Sequence, residues 1–248
     1  MQRYFIHQER PHIKEKLSLP PSVAHHFITV LRAEPGTQCE LVFDNEHVYR
    51  AALIDSRTAQ IEVLEDLQQN AELPIHPLLA CGLPKTKGKP ELIVQKATEL
   101  GADEIIFFES ARSVSHWATN KQTKKIGRLQ KIANGAAEQS HRNRIPKISY
   151  LPNLDAVLKQ TSAEQKVVAW EESAKQGETS ALATVLQQVR PGDRMLAIFG
   201  PEGGLTEDEV AQMQAAGVVP VGLGPRILRT ETAPLYLLSA ISFAAELS

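Results

Sequence analysis

Met195-Leu196-Ala197-Ile198-Phe199-Gly200-Pro201-Glu202-Gly203-Gly204 is an apolar run broken abruptly by a glycine-proline turn. The pattern recurs downstream, where Val218-Val219-Pro220-Val221 leads into Gly222-Leu223-Gly224-Pro225-Arg226-Ile227-Leu228-Arg229-Thr230-Glu231-Thr232-Ala233. An apolar run stopped by glycines reads as a buried strand ending in a loop that something approaches closely. Two such loops after consecutive strands point to a ligand site at the edge of a parallel sheet.

Working outward from these loops, the chain from Leu73 onward alternates strand and helix patterns. Strands are expected at His76–Leu83, Glu104–Glu109, Lys166–Trp170, Met195–Phe199 and Val218–Leu223. Helices are expected at Glu91–Leu100, Lys121–Gln139, Asp155–Thr161, Thr179–Val189, Glu207–Ala216 and Thr232–Leu247. This is the rhythm of a parallel sheet with helices on both faces. Thr206 ahead of Glu207, Asp208 and Glu209 marks a helix start, with acids placed against the dipole.

Before residue 73 the pattern differs. Short runs at Cys39–Phe43, Val48–Ile54 and Ala59–Leu64 are separated by Asp44-Asn45-Glu46 and Asp55-Ser56-Arg57 at hairpin spacing. One helix is expected from Pro21 to Arg32. The composition suits a small β-barrel over residues 1–72, joined by the polar segment Gln68–Glu72 to a second domain over 73–248.

With 248 residues, 42% hydrophobic and 23% charged, the chain has an ordinary globular composition. It is no polycation overall, since 27 basic residues face 29 acidic ones. No window approaches the roughly 18 apolar residues of a membrane span, and the N-terminus lacks a signal-peptide stretch. Cys39 and Cys81 are isolated and read as unpaired core thiols. These features lead us to expect a cytoplasmic protein with no membrane partner.

Charge is nonetheless uneven. Between Arg112 and Lys147 nine basic residues accompany one acid, Glu138. Lys121, Lys124, Lys125, Arg128 and Lys131 recur at helical spacing, just after His116 and Trp117. Such a face suits phosphate contacts, with an aromatic ring available for stacking, although a solvated helix face looks the same in sequence. Gly82-Leu83-Pro84-Lys85-Thr86-Lys87-Gly88-Lys89-Pro90 has five residues between its glycines, and Pro90 stands where a P-loop needs Ser or Thr. It reads as a basic loop for RNA, with Lys87 exposed to it. The eight histidines show no metal spacing, so no metal is expected. Neither a Gly-x-Ser-x-Gly elbow nor a Gly-x-Gly-x-x-Gly fingerprint occurs.

The two loops resemble those of the 16S ribosomal RNA uracil-N3 methyltransferases, of the SPOUT class of knotted enzymes. So do Lys96-Ala97-Thr98-Glu99-Leu100-Gly101, Arg112-Ser113, Ala136-Ala137-Glu138-Gln139-Ser140 and Arg142-Asn143. The resemblance spans essentially the whole chain. His141 stands where a glycine is expected.

The resemblance implies an α/β fold. A C-terminal parallel sheet, with helices on both faces and a deep trefoil knot, would follow a small PUA-like β-barrel that binds RNA. It implies S-adenosylmethionine as cofactor, held by Phe199, Gly200, Pro201, Glu202 and Gly203 on one wall. Leu223, Gly224, Ile227, Leu228, Arg229, Thr232 and Ala233 would form the other, with Trp170-Glu171-Glu172 as a third contact. A homodimer through the knotted domain is implied, and 16S ribosomal RNA in the small subunit as substrate.

The implied chemistry is attack of a uridine N3 on the cofactor methyl group. That nitrogen is weakly acidic, so the enzyme must assist proton loss or stabilise the anion. Arg229 is the first candidate for the anion; Glu202 and Glu231 are candidate bases. Arg3, Arg32, Lys87, Arg112, Lys124, Lys125, Arg128 and Arg142 are the candidate RNA contacts. Two alternatives stay open at this level: a ribose 2′-O-methyltransferase of the same class, and an RNA-binding protein without catalysis.

Overall fold

The computed structural model describes residues 1–172 and 180–247. The chain forms two compact units, Met1–Glu72 with Ala137–Arg144, and Leu73–Ala136 with Ile145–Ser248.

In the first unit, β1 (Arg3–Phe5), β2 (Lys16–Ser18), β3 (Gln38–Val42), β4 (Val48–Asp55) and β5 (Gln60–Asp66) form one sheet in the order β1-β3-β4-β5-β2. The predicted hairpins β3–β4 and β4–β5 are antiparallel, and β1 adds in parallel to β3. Register shifts between Arg50 and Ala51 and between Leu53 and Asp55 help the sheet curl. Its core holds Tyr4, Phe27, Leu41, Tyr49, Leu53 and Ile61. The expected helix is a short α1 (Pro21–Ala24) continued by π-helical turns over His25–Val30. It ends before Arg32, whose φ of 56° is left-handed.

Glu72 is the hub that ties Ala137–Arg144 into this unit. Its buried carboxylate accepts from the Arg142 guanidinium, from Asn143 N–H at 2.7 Å and from Arg144 N–H at 3.0 Å. Asn143 Nδ2 then donates to the carbonyls of Glu46 (2.7 Å) and Gln69 (2.8 Å). His141 has φ of 57°, the conformation that makes glycine the expected residue there. Its Nδ1 lies 3.1 Å from Glu40, a contact that a glycine lacks.

The second unit is built on β6 (His76–Gly82), β7 (Glu104–Phe108), β8 (Lys147–Leu151), β9 (Gln165–Ala169), β10 (Arg194–Phe199) and β11 (Val219–Val221). All pair in parallel, in the order β11-β9-β10-β6-β7-β8. Each strand sends alternate residues to opposite faces, so two cores form. Leu79, Cys81, Ala197 and Phe199 pack under α2 (Lys89–Glu99), α3 (Thr119–Gln139), α5 (Ala181–Gln188) and α7 (Thr232–Ser242). Leu78, Ala80, Leu196 and Ile198 pack under α4 (Leu154–Gln160) and α6 (Glu207–Ala215). Helices thus cover both faces, as the alternation predicts. Thr179, the first residue of the helix expected at 179–189, lies outside the described residues. Helix α7 continues as π-helical turns over Phe243–Leu247. Among the described residues, no helix is long and apolar enough to cross a membrane.

Burial alone would raise the Glu72 pKa, but hydrogen bonds and charge from Arg142 hold it below the usual carboxylate range. The stabilisation from this hub is therefore full above the unfolded value of about 4.3. It is lost as the pH falls through the depressed folded value. Glu72→Ala should cost about 3–5 kcal/mol by removing the carboxylate that binds the buried Arg142 guanidinium. Hydrogen exchange read on β3–β5 should show the loss at pH 7, with the variant and wild type converging in acid.

Candidate active site

The registers bring the carboxyl ends of four strands level: Phe199 pairs with Cys81 and with Ala169, and Ala169 pairs with Val221. The chain runs from β6 outward to β7 and β8, whereas β9, β10 and β11 lie on the other side of β6. The junction of β6 and β10 is therefore the topological switch point, where open α/β sheets place their ligands.

A cavity of about 850 Å³ opens at this edge. Phe199, Gly200, Pro201, Glu202 and Gly203 line it on one side; Leu223, Gly224, Ile227, Leu228, Arg229 and Ala233 line it on the other. Trp170, Glu171 and Glu172 close it, at the end of β9. Thr232 is not among the lining residues; it begins α7. The two loops meet through Thr230, whose hydroxyl donates to the Gly200 carbonyl at 2.9 Å.

Close packing sets the shape of the first loop. A Cβ on Gly82 would fall 2.5 Å from Pro201 Cδ and 2.6 Å from its nitrogen. A Cβ on Gly203 would fall 3.0 Å from Cβ of Arg112, whose Nη1 donates to the Gly203 carbonyl at 3.1 Å. The turn carrying Arg112 is fixed in its turn by Glu209, whose carboxylate accepts from Ala111 N–H at 2.8 Å. Glu209 also completes the capping box with Thr206 at the start of α6.

The charged groups form one cluster. Lys89 Nζ, at the start of α2, lies 3.0 Å from Glu202 Oε1 and 2.9 Å from Glu231 Oε2. Glu202 Oε2 also accepts from Lys85 N–H at 2.9 Å. Burial works to raise both carboxylates, yet Glu202 is held low by the Lys85 N–H and Lys89, and Glu231 by Lys89 and Arg229. Burial would likewise lower Lys89, but Glu231 and Glu202 raise it. Both candidate bases are thus firmly ionised and engaged with a cation, which makes them weak proton acceptors. Arg229 is exposed and turned to the cavity.

The candidate RNA contacts divide. Lys87, Arg112, Lys124 and Arg128 are exposed in the second unit, with Arg128 paired to Glu91 at 3.0 Å. Lys125 is half-buried, its Nζ 4.9 Å from the Trp117 ring centroid. In the first unit Arg32 is exposed. Arg3 and Arg142 require correction. Each is only 2% exposed, Arg3 being bound by Glu40 at 2.8 Å and Arg142 by Glu72. Both guanidinium groups hold the first unit together, so neither is a surface phosphate ligand. Trp117 is corrected too: it is buried and stacked on Tyr150 at 5.4 Å, so it offers no face for a base. Sequence reading missed Lys89 and Thr230, because their partners lie in distant loops.

Comparison with known proteins agrees with this architecture. The RNA methyltransferase domain family matches residues 71–242, and the RNA methyltransferase PUA domain matches residues 19–64. The chain is 43% identical to the Bacillus subtilis ribosomal RNA small subunit methyltransferase E, over 100% of this chain and 98% of that one. A Synechocystis protein of the same name is 32% identical over 94% of this chain and 75% of its own. Among solved structures, a ribosomal RNA small subunit methyltransferase E from Neisseria gonorrhoeae bound to S-adenosyl methionine superposes with TM-score 0.80 and 29% identity, covering 98% of this chain and 97% of that one. A Legionella pneumophila structure with bound cofactor SAM gives TM-score 0.82 and 28% identity, at the same coverage. The fold is therefore that of an RNA methyltransferase. Within that class, the chain belongs to the ribosomal RNA small subunit methyltransferase E family.

Gly82→Ala should force Pro201 to move and cost about 1–3 kcal/mol. Urea unfolding should give the loss, and hydrogen exchange should place the disturbance at residues 200–206. Unchanged exchange there would contradict the role assigned to this contact.

Proposed function

We propose that this chain transfers a methyl group from S-adenosylmethionine to N3 of a uridine in 16S ribosomal RNA of the small ribosomal subunit. The observation that carries the reading is the cleft walled by the two glycine loops. Its volume, about 850 Å³, falls within the roughly 300–1,000 Å³ usual for small-molecule sites. The residues suit the cofactor: Phe199, Leu223, Leu228 and Trp170 offer apolar wall, and the glycines let the backbone itself form part of the lining. Relatives of known structure bind this same cofactor.

The cofactor supplies an electrophilic methyl group on a sulfonium. The chain's part is to hold the uracil in line with it and to stabilise charge as N3 loses its proton. Arg229 would serve here, exposed on the cavity wall. Glu202 serves the loop more than the proton, being engaged by Lys85 and Lys89. Lys87, Arg112, Lys124, Lys125 and Arg128 would meet RNA phosphates, as Arg32 would from the PUA-like unit of residues 1–72.

The knot belongs to the proposal. It is supported by the return of the chain after β11 past the end of β10, where Thr230 reaches Gly200. So does a homodimer through the second unit, supported by exposed Ile227, Tyr236, Phe243 and Leu247. The enzyme would act in the cytoplasm, where small subunits are assembled.

Incubation with small subunits lacking the mark and methyl-labelled cofactor should yield 3-methyluridine in 16S RNA by mass spectrometry. Label on a ribose would overturn the base specificity, and no label with no cofactor binding would leave RNA binding alone. Arg229→Ala should lower turnover about 10²–10³-fold, well beyond any change in cofactor affinity.

A further inference from the structure

Lys89 stands outside both glycine loops, on the first turn of α2, yet its side chain touches both. Nζ lies 3.0 Å from Glu202 in the first loop and 2.9 Å from Glu231 in the second. The side chains of Lys89 and Glu231 are mostly shielded, at 17% and 14% exposure, and that of Glu202 is about one-third exposed, at 32%. Lys85, four residues upstream, donates its backbone N–H to the same Glu202. The segment 85–89 is therefore bound to the first loop twice and to the second once.

Each carboxylate oxygen lies within 3.0 Å of Nζ, so the two are separated by no more than about twice that distance. Without the ammonium, two anions at that range in a partly dry site would repel, and one would take up a proton in mild acid. Lys89 and Glu202 lie on the cavity wall, where the other charged groups are Arg112, Glu171, Glu172, Glu207, Arg226 and Arg229. Of these, Arg229 acts on Glu231, and Arg112 donates to the Gly203 carbonyl.

We propose that Lys89 is a positioning residue for the methyl-transfer site: its ammonium group locks the two cofactor-binding loops together through Glu202 and Glu231. The cleft then has its binding shape before the cofactor arrives, and neither carboxylate is free to accept the N3 proton. A preformed cleft spares the cofactor the cost of ordering two loops. This inference rests on the reading of the cleft as a cofactor site.

The test uses the full-length protein and two readouts. In the absence of cofactor, hydrogen exchange in Lys89→Met should speed up about tenfold at both loops, 200–206 and 226–231, whereas Lys89→Arg should stay within about threefold of wild type; tenfold corresponds to about 1.4 kcal/mol. S-adenosylmethionine affinity, titrated from pH 5 to pH 8, should be nearly flat in wild type. In Lys89→Met it should fall about tenfold at pH 8 and recover toward pH 5, as one carboxylate is neutralised. Lys89→Met/Glu231→Gln should remove that pH dependence by removing the repulsion.

Loosening of one loop or neither would overturn the lock. So would a Lys89→Met loss of affinity that is equal at every pH and unrelieved by Lys89→Arg. Wild type that fails to bind the cofactor would instead sink the cofactor reading, and the exchange readout would still decide whether the lock exists.

Discussion

Gly82 ends β6 with its backbone against Pro201, at a distance that leaves no room for a side chain. That contact sits where β6 and β10 run side by side and their connections part in opposite directions. Because β6 stops flush with β10, the chain after Phe199 must turn at once, and Gly200-Pro201 makes that turn. The segment after β11 then returns to the same place, where Thr230 binds the Gly200 carbonyl. Most of the cleft wall is thus positioned by where two central strands end.

Electrostatics completes what packing begins. An isolated carboxylate in a half-buried cleft would drift toward neutrality, and two near each other would do so more strongly. The Lys85 N–H and Lys89 reverse this for Glu202, and Lys89 does so for Glu231, so that both are held below the usual carboxylate range. The consequence for mechanism is a division of labour. On the proposed reading the acids would shape the cleft, and Arg229 would meet charge that develops on the substrate. The first unit uses the same physics for a different end. Glu40 and Glu72 neutralise Arg3 and Arg142 in its interior, so residues that look like RNA ligands in sequence are structural.

The legible parts of the molecule were those governed by local pattern. Strands β6, β7, β9 and β10 are buried on both faces and read as apolar runs; the two loops announce themselves by glycines at their ends. All but one of the cofactor residues inferred from the resemblance line the cavity, Thr232 being the exception. Strands β1, β2 and β8 were not legible. The first two are three residues long, and all three lie at sheet edges, where one ladder of hydrogen bonds leaves little periodic signal. Side-chain partnership was equally hidden. Sequence states that Arg3, Arg142 and Lys89 are cations; only the fold shows that Glu40, Glu72, Glu202 and Glu231 are waiting for them.

The central claim is that the cleft between the two glycine loops holds the methyl donor. A crystal structure of the protein with S-adenosylhomocysteine, the demethylated product, tests it most directly. The account predicts density for the nucleoside between Gly200–Gly203 and Leu223–Leu228, with Lys89 still bridging Glu202 and Glu231. Ligand bound elsewhere, or a cleft that stays empty at saturating ligand, would contradict it.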